Sequence, residues 1–470
     1  MTSQPATKSD YGAAPLGLSV TRDLAAFLAR FHFEDLPEAA VHEARRGVLD
    51  WIGCALAGSQ HPTVGKLLPV LKMLNAQPQA TVLGHKLKLG LTEASLANGL
   101  MGHMLDFDDT HMGGVVLHAS SPILAALFAL AERGGADGGA VDGRALDGRA
   151  LVCAYAAGFE AGVRVGQSAP GHHDGGWHLT GTLGTIAAGA ASAKLLGLNA
   201  QQMTYALGIA ATQSAGMQQN RGTMCKSFHA GRAASNGMLA GLLAQQGFDS
   251  SEEIVEGKRG FARIYSNVAT PELVLAELGT RWEIARNGYK PYACGVALHP
   301  ILDAMVSLGE QRALAPDAIA SIEARVHPIA VRITGLGDPK TGLQSKFSIY
   351  HASAVAYLDR GAGIVQFSDA RASAPDVMAL RGKIEVTTDE SFRKDQAQAT
   401  LVTTSGERIE AHIAHASGTV DNPMSDRAIE NKFLANAAPA VGDERARQIA
   451  ATVWKLDKLG DVRELIGLCA

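Results

Sequence analysis

From His103 to His111 the chain reads HMLDFDDTH, with His118 a few residues on, a dense cluster of imidazoles and carboxylates. Imidazoles and carboxylates at such spacing are the groups that move protons near neutral pH. On a helix, His103, Asp106 and Thr110 would share one face at i, i+3 and i+7 and Asp108 would point away, giving that face an imidazole, a carboxylate and a hydroxyl. The plain alternative is a helix end with solvated acids. Asp106 and Asp109 also loosely imitate an aspartate-rich metal motif. Magnesium prefers oxygen ligands, histidines are poor company for it, and no convincing second acidic motif is found, so no metal is expected.

Between Lys194 and Asp249 there is no acidic residue, and the formal charges are Arg221, Lys226 and Arg232. A buried cation without a counter-ion is costly, so these residues call for an outside anion, unless they reach solvent or pair with distant acids. A carboxylate at about 4 Å and an effective dielectric near 20 is worth roughly 4 kcal/mol before desolvation. His178 follows Gly175-Gly176-Trp177 and precedes a Gly/Ala-rich helix, a position that favours a bound anion. A lone histidine there can equally be structural. Lys290, in KPYACG, opens a new module where a cleft would form, and Tyr350, in SKFSIYH, begins a later helix that could face it.

The elements that must position these side chains fall into two kinds. Up to about residue 285 the apolar spacing predicts helix after helix, over 20–33, 37–57, 91–103, 123–133, 151–165, 181–196, 203–214 and 230–246. Ser250 and Glu253 resemble a capping box opening one more. The Gly/Asp-rich stretch between Arg133 and Leu151 reads as a surface loop. Alternation over 319–333, 382–388 and 399–415, the last broken by Ser405-Gly406, predicts strands and a hairpin. Helices at 302–313 and 347–359 lie among them. After Asn422-Pro423, Ser425 or Asp426 caps a helix through Phe433. The expected fold is mainly α with an α+β lid. Residues 1–287 and 422–470 make a large helical domain and 288–421 a smaller α+β domain.

At 470 residues two domains are the better prior. A net charge of −4 supplies no field for nucleic acid. Five scattered cysteines without CxxC pairing argue for a reducing compartment. Residues 1–15 lack a signal-peptide core, and no run of about 20 apolar residues suits a membrane span. A cytoplasmic protein with neither nucleic-acid nor membrane partners is expected. Dinucleotide, Walker, nucleophile-elbow and HExxH motifs are missing.

ATVLGH (80–85), ANGLMGHMLDFDDTH (97–111), WHLTGTLGTIAAGAASAKLLGL (177–198), KSFHAGRAASNG (226–237), KPYACG (290–295) and NPMSDRAIENKF (422–433) follow in an order that resembles the MmgE/PrpD family. That family includes 2-methylcitrate dehydratase, cis-aconitate decarboxylase and iminodisuccinate epimerase. The resemblance spans nearly the whole chain. It implies a homodimer formed through the helical domain, no metal or organic cofactor, and a site between the domains. By motif it carries functional roles to Asp106, Thr110, His118, His178, Lys226, Lys290 and Tyr350. The segment HMGGVVLHASS is looser than the family's His-Pro-Ser form. Cys294-Gly295-Val296 stands where the decarboxylase has a histidine, with His299 the next one.

The expected activity is cofactor-independent dehydration of a hydroxy-polycarboxylate of the 2-methylcitrate type. Epimerisation or decarboxylation of a related di- or tricarboxylate is the alternative. Lys226, Lys290 and Arg221 would hold carboxylates, and His118 or His178 would act as base or acid. Asp106 would orient an imidazole, while Thr110, His103 and Tyr350 would contact substrate.

Overall fold

The computed structural model describes residues 19–133 and 145–470. Its fold is mainly α with a smaller α+β part, as the patterning predicts. Helices α1 (Val20–Arg30), α2 (Glu38–Ser59), α3 (Pro62–Met73), α4 (Leu91–His103), α5 (Ser120–Ala131), α6 (Gly148–Gln167), α7 (Leu179–Leu195), α8 (Ala200–Ala211) and α9 (Met224–Gln245) form the first part. Every residue of α5 and nearly all of α7 are buried, as expected for helices enclosed by other helices. The late helix Asp426–Val441 returns to pack on α2, with Phe433 against Gly53. One core therefore draws on both ends of the chain.

Small residues let these helices approach closely. Where α4 crosses α9, a Cβ on Gly231 would lie 2.3 Å from the Leu96 carbonyl oxygen, so any larger residue would push the pair apart. The crossing sets the end of α4 against the start of α9, and Ser227 Oγ lies 3.3 Å from Met104 Sδ.

Short strands tie the loops together: β1 (Ala80–Val82) with β2 (Leu87–Leu89), and β3 (Thr110–His111) with β4 (Asn287–Gly288), both antiparallel. The larger sheet comprises β5 (Ile319–Val326), β6 (Ile384–Thr388), β7 (Ala397–Thr403) and β8 (Arg408–Ile413), in the order β6-β5-β7-β8. Its β5–β6 pair is parallel and the other pairs are antiparallel. Helices His299–Gln311 and Ile349–Asp359 join this sheet in a second core containing Leu302, Ile322, Val355 and Leu401.

Several boundaries differ from expectation. The strand predicted to reach Ile333 stops at Val326, because Pro328 cannot donate to a ladder and instead opens the helix Pro328–Thr334. His327 caps that helix, its Nδ1 accepting from the Ile329 N–H at 3.0 Å. No helix starts at Ser250, whose hydroxyl donates to the Tyr205 carbonyl. α9, capped by Thr223, starts at Met224, six residues ahead of the expected start, which places Lys226 in its first turn. The helix after Ser425 runs on past Phe433 to Val441. The Ser405-Gly406 hairpin forms as expected, with Gly406 at φ 86°. Most of the Gly/Asp-rich stretch lies outside the described residues.

Candidate active site

α4 ends at His103, so the expected helical face of His103, Asp106 and Thr110 does not exist. Asp106 takes φ 52°, a left-handed conformation that costs a non-glycine residue about 1 kcal/mol or more. Strand β3 then pairs Thr110 with Gly288, which fastens this loop to the segment just before Lys290. Lys290, fully buried, places Nζ 2.6 Å from Asp106 Oδ1 and 3.0 Å from the Asp106 carbonyl. Lys226 Nζ forms an ion pair with Asp106 Oδ2 at 2.8 Å. Two lysines far apart in sequence thus converge on one carboxylate.

That convergence corrects two expectations. Asp106 orients no imidazole, and the lysines have an internal counter-ion. Burial alone would raise the Asp106 pKa, but Lys226 and Lys290 outweigh it and hold the carboxylate well below its ordinary range. Burial lowers Lys226, with Asp106 opposing. At Lys290 burial also works against the charge, but Asp106 and Asp108 prevail and raise it.

Asp108, expected to point away, is instead fully buried within the site. Its two oxygens lie 2.9 and 3.0 Å from His103 Nδ1, and Oδ2 also accepts from Ser121 Oγ at 2.8 Å. Burial opposes its charge, but His103 and His118 keep it ionised. Nδ1 of His103 therefore carries the hydrogen, and the buried Nε2 has no partner. Asp109 has the opposite character. Burial and then the adjacent Asp108 raise it to about 8, so it is a neutral acid at pH 7.

His118 and His178 lie beside His103, at ring-centroid distances of 4.7 and 5.4 Å. His118 Nδ1 is 2.8 Å from the Asp109 carbonyl, an obligate acceptor, so this nitrogen is also protonated. Thr110 Oγ1 lies 3.0 Å from the same nitrogen, which corrects its expected role: its hydroxyl positions His118. His178 is the N-cap of α7, as its sequence context implies. Its Nδ1 meets His229 Nδ1 at 3.0 Å, and its buried Nε2 is unpartnered. Burial, followed by Lys290 for His118 and Lys226 for His178, depresses both rings well below the usual imidazole value. Burial likewise lowers His229 to about 4.

A cleft opens onto this cluster, lined by His103, Asp106 and Lys226 from the helical part and by Leu343, Lys346 and Phe347 from the α+β part. Its room is about 10 Å³, enough for little more than one water. His118 and His178 are not in its wall. Tyr350 is half-buried against the second core, and Phe347, three residues earlier, lines the cleft instead. Arg221 borders a shallow depression with Trp177 and Gln218, its Nη2 3.2 Å from His173 Nε2. Arg232 is exposed, as the solvent alternative allowed.

Sequence reading missed Asp108, His229 and Lys346. Lys346 is buried, and its ammonium donates to the Leu105 carbonyl at 2.7 Å and the Ala293 carbonyl at 2.5 Å. A signal for it existed: a lysine inside the apolar, small-residue run around KFSIYHASAVAYL.

His103, Asp108 and His118 offer ligand atoms within 4.8 Å of one another, a spacing a divalent metal can use. The Nδ1 atoms that face Asp108 and the Asp109 carbonyl are spent as donors, however, and a protonated nitrogen cannot ligate. On the surface, Asp395, His415 and Asp421 also cluster, but Arg393 Nη2 sits 2.8 Å from His415 Nδ1, where a cation would be repelled.

Comparison of the sequence with known proteins places this fold in a family. Residues 22–274 match the MmgE/PrpD N-terminal domain and residues 292–458 the MmgE/PrpD C-terminal domain, and the chain belongs to the MmgE/PrpD family. It is similar to the cis-aconitate decarboxylase of Aspergillus terreus, 28% identical over 477 aligned residues that cover 96% of this chain and 95% of the relative. The cis-aconitate decarboxylases of Homo sapiens and Mus musculus are 25% and 24% identical, covering 96% of this chain and 94% and 93% of theirs. No helix among the described residues is long and apolar enough to cross a membrane.

Proposed function

We propose that this chain is a cofactor-independent lyase acting on a small tricarboxylate, with His103 transferring the proton at the reacting carbon. The supporting observation is the juxtaposition of three ammonium groups, those of Lys290 and Lys346 buried and that of Lys226 partly so, with the Asp106 carboxylate, beside an imidazole whose Nε2 is free. Asp106 and the ionised Asp108 cancel only part of that charge, and a polyanionic guest would cancel the rest. Asp108 fixes the His103 tautomer so that Nε2 can take or give the proton. Lys226 and Lys290 stabilise the enediolate-like charge that builds on the adjacent carboxylate. His118 and His178, kept neutral by burial, serve as the second acid or base.

The closed cleft is too small for a tricarboxylate. Residues 288–421 are therefore proposed to act as a lid that parts from residues 1–287 and 422–470 to admit substrate and then excludes water. A homodimer through the helical part is supported by the apolar Met224, Phe228 and Leu239, exposed on α9. The five free cysteines fit the reducing cytoplasm.

Loss of carbon dioxide and loss of water pass through the same kind of intermediate, a carbanion delocalised into a carboxylate. In the first, the broken C–C bond leaves its electron pair conjugated with a remaining carboxylate, and an imidazole protonates the carbon. In the second, an imidazole removes the proton next to a carboxylate, and as the C–O bond breaks a protonated group gives its proton to the departing oxygen, which leaves as water. The named activity of the relatives favours the first, and Cys294 in place of a histidine favours the second. Incubation with cis-aconitate, citrate and 2-methylcitrate, following alkene absorbance and released carbon dioxide, tests the reading. Consumption of none of them rejects it, and solvent deuterium exchange without a new product would point to an isomerase instead.

A further inference from the structure

Lys346 differs from its two neighbours in how its charge is met. Lys226 and Lys290 share the Asp106 carboxylate, whereas Lys346 takes part in no ion pair among the described residues. Its ammonium, on a side chain only 3% exposed, is held by two neutral carbonyls and stands 4.9 Å from the Phe367 ring centroid. Dipoles of this kind lower the cost of burying a cation without cancelling its charge.

The two carbonyls come from either side of the cleft. Leu105 belongs to the loop after α4, and Ala293 follows Lys290 at the start of the α+β part. Lys346 also lines the cleft directly, together with His103, Asp106 and Lys226. An uncancelled cation in the wall of a cleft between two structural parts is a place for an anion to bind.

We propose that Lys346 is a substrate-binding residue whose ammonium exchanges its carbonyl cage for a carboxylate of the bound polyacid. The inference rests on the polycarboxylate reading above and adds to it an anchor from the opposite wall. The groups that act on Lys346 are Asp106 from the loop after α4, Cys294 and Lys290 from the start of the α+β part, and Lys226 from α9, while its own charge is felt at His61. Burial lowers Lys346 to about 8, opposed by Asp106 and Cys294. Near pH 8.5 the free protein therefore holds this amine largely neutral, and a bound carboxylate would draw a proton onto it.

Calorimetric titration of the whole chain with tricarballylate, a saturated tricarboxylate with neither a hydroxyl to lose nor a double bond to take up the electrons of decarboxylation, at about pH 8.5 in two buffers of different ionisation enthalpy, reads this directly. Wild type is expected to take up a fraction of a proton on binding. Lys346→Met should lose that uptake and bind about 10- to 100-fold more weakly, the worth of one charge-assisted contact. Lys346→Arg, charged at every accessible pH, should bind without proton uptake and covers the case in which the methionine variant does not fold. Wild-type affinity and uptake in Lys346→Met, or undiminished uptake in Lys346→Arg, would overturn the assignment. If wild type binds none of tricarballylate, cis-aconitate, citrate and 2-methylcitrate, the polycarboxylate reading itself fails and this residue's role falls with it.

Discussion

His103 Nδ1 faces both oxygens of Asp108, at 2.9 and 3.0 Å, although the two residues lie five apart across the end of a helix. This contact determines which imidazole nitrogen is free, and it separates Asp108 from the neighbouring acid, Asp109, whose Oδ2 accepts from Ser120 Oγ and Asn287 Nδ2 instead. Asp108→Asn keeps the shape but offers an amide where the imidazole N–H needs an acceptor. Turnover in that variant should fall by about 10²- to 10⁴-fold, the usual worth of a positioned acid or base. Steady-state kinetics with an accepted substrate decide it, and unchanged turnover would remove Asp108 from the mechanism.

Asp109 should reveal itself in stability. Its folded pKa, about 8, lies above the ordinary carboxylate value of 3.8, so the folded state binds the extra proton between those limits. Its contribution is fully present below about pH 4 and is lost as pH rises towards 8. Urea midpoints across that window should therefore depend less on pH in Asp109→Asn than in wild type. Parallel curves would show that Asp109 is ionised in the folded protein.

Asp106 is the counter-ion of Lys226 and Lys290. Removing it in Asp106→Ala leaves two ammonium groups unpaired in a buried site, a change worth about 3–5 kcal/mol of stability. Chemical denaturation measures the loss, and added acetate, small enough to enter the vacated position, should restore part of it. A variant as stable as wild type and indifferent to acetate would mean that the ion pairs contribute little.

Histidines depressed by burial act at the acid end. His172, its two ring nitrogens unpartnered among Phe261, Tyr265 and Trp177, is lowered to about 4 against an ordinary 6.5. Below pH 6.5 the unfolded chain takes up a proton that the folded chain resists, so stability is lost as pH falls from about 6.5 to 4. His172→Phe should flatten that limb. An unaltered profile would place the acid sensitivity elsewhere.

The helical half of the fold was legible because its elements are long and their apolar residues recur with the helical period. The site was legible as a list of residue types, and Lys226, Lys290, His118 and His178 do come together. Its wiring was not. Extending α4 past His103 put Asp108 on the wrong side, since nothing local marks Asp106 as the residue that turns left-handed. That conformation is stabilised by lysines 120 and 184 positions away. Pro328 was a readable stop signal that the alternating pattern obscured. Lys346 was overlooked because a lysine in an apolar run reads as a surface residue until the opposite wall of the cleft is seen.

In the proposed mechanism His103 moves the proton while the lysines hold the guest. Substrate affinity and single-turnover rate, measured together in His103→Gln with whichever of cis-aconitate, citrate or 2-methylcitrate the wild type consumes, test it most directly. Binding within about threefold of wild type with a rate at least about 100-fold lower is the expected result. A rate close to wild type would contradict this and give the proton transfer to another group, since His103 is the one imidazole among the described residues in the wall of the closed cleft and His118 and His178 stand behind it.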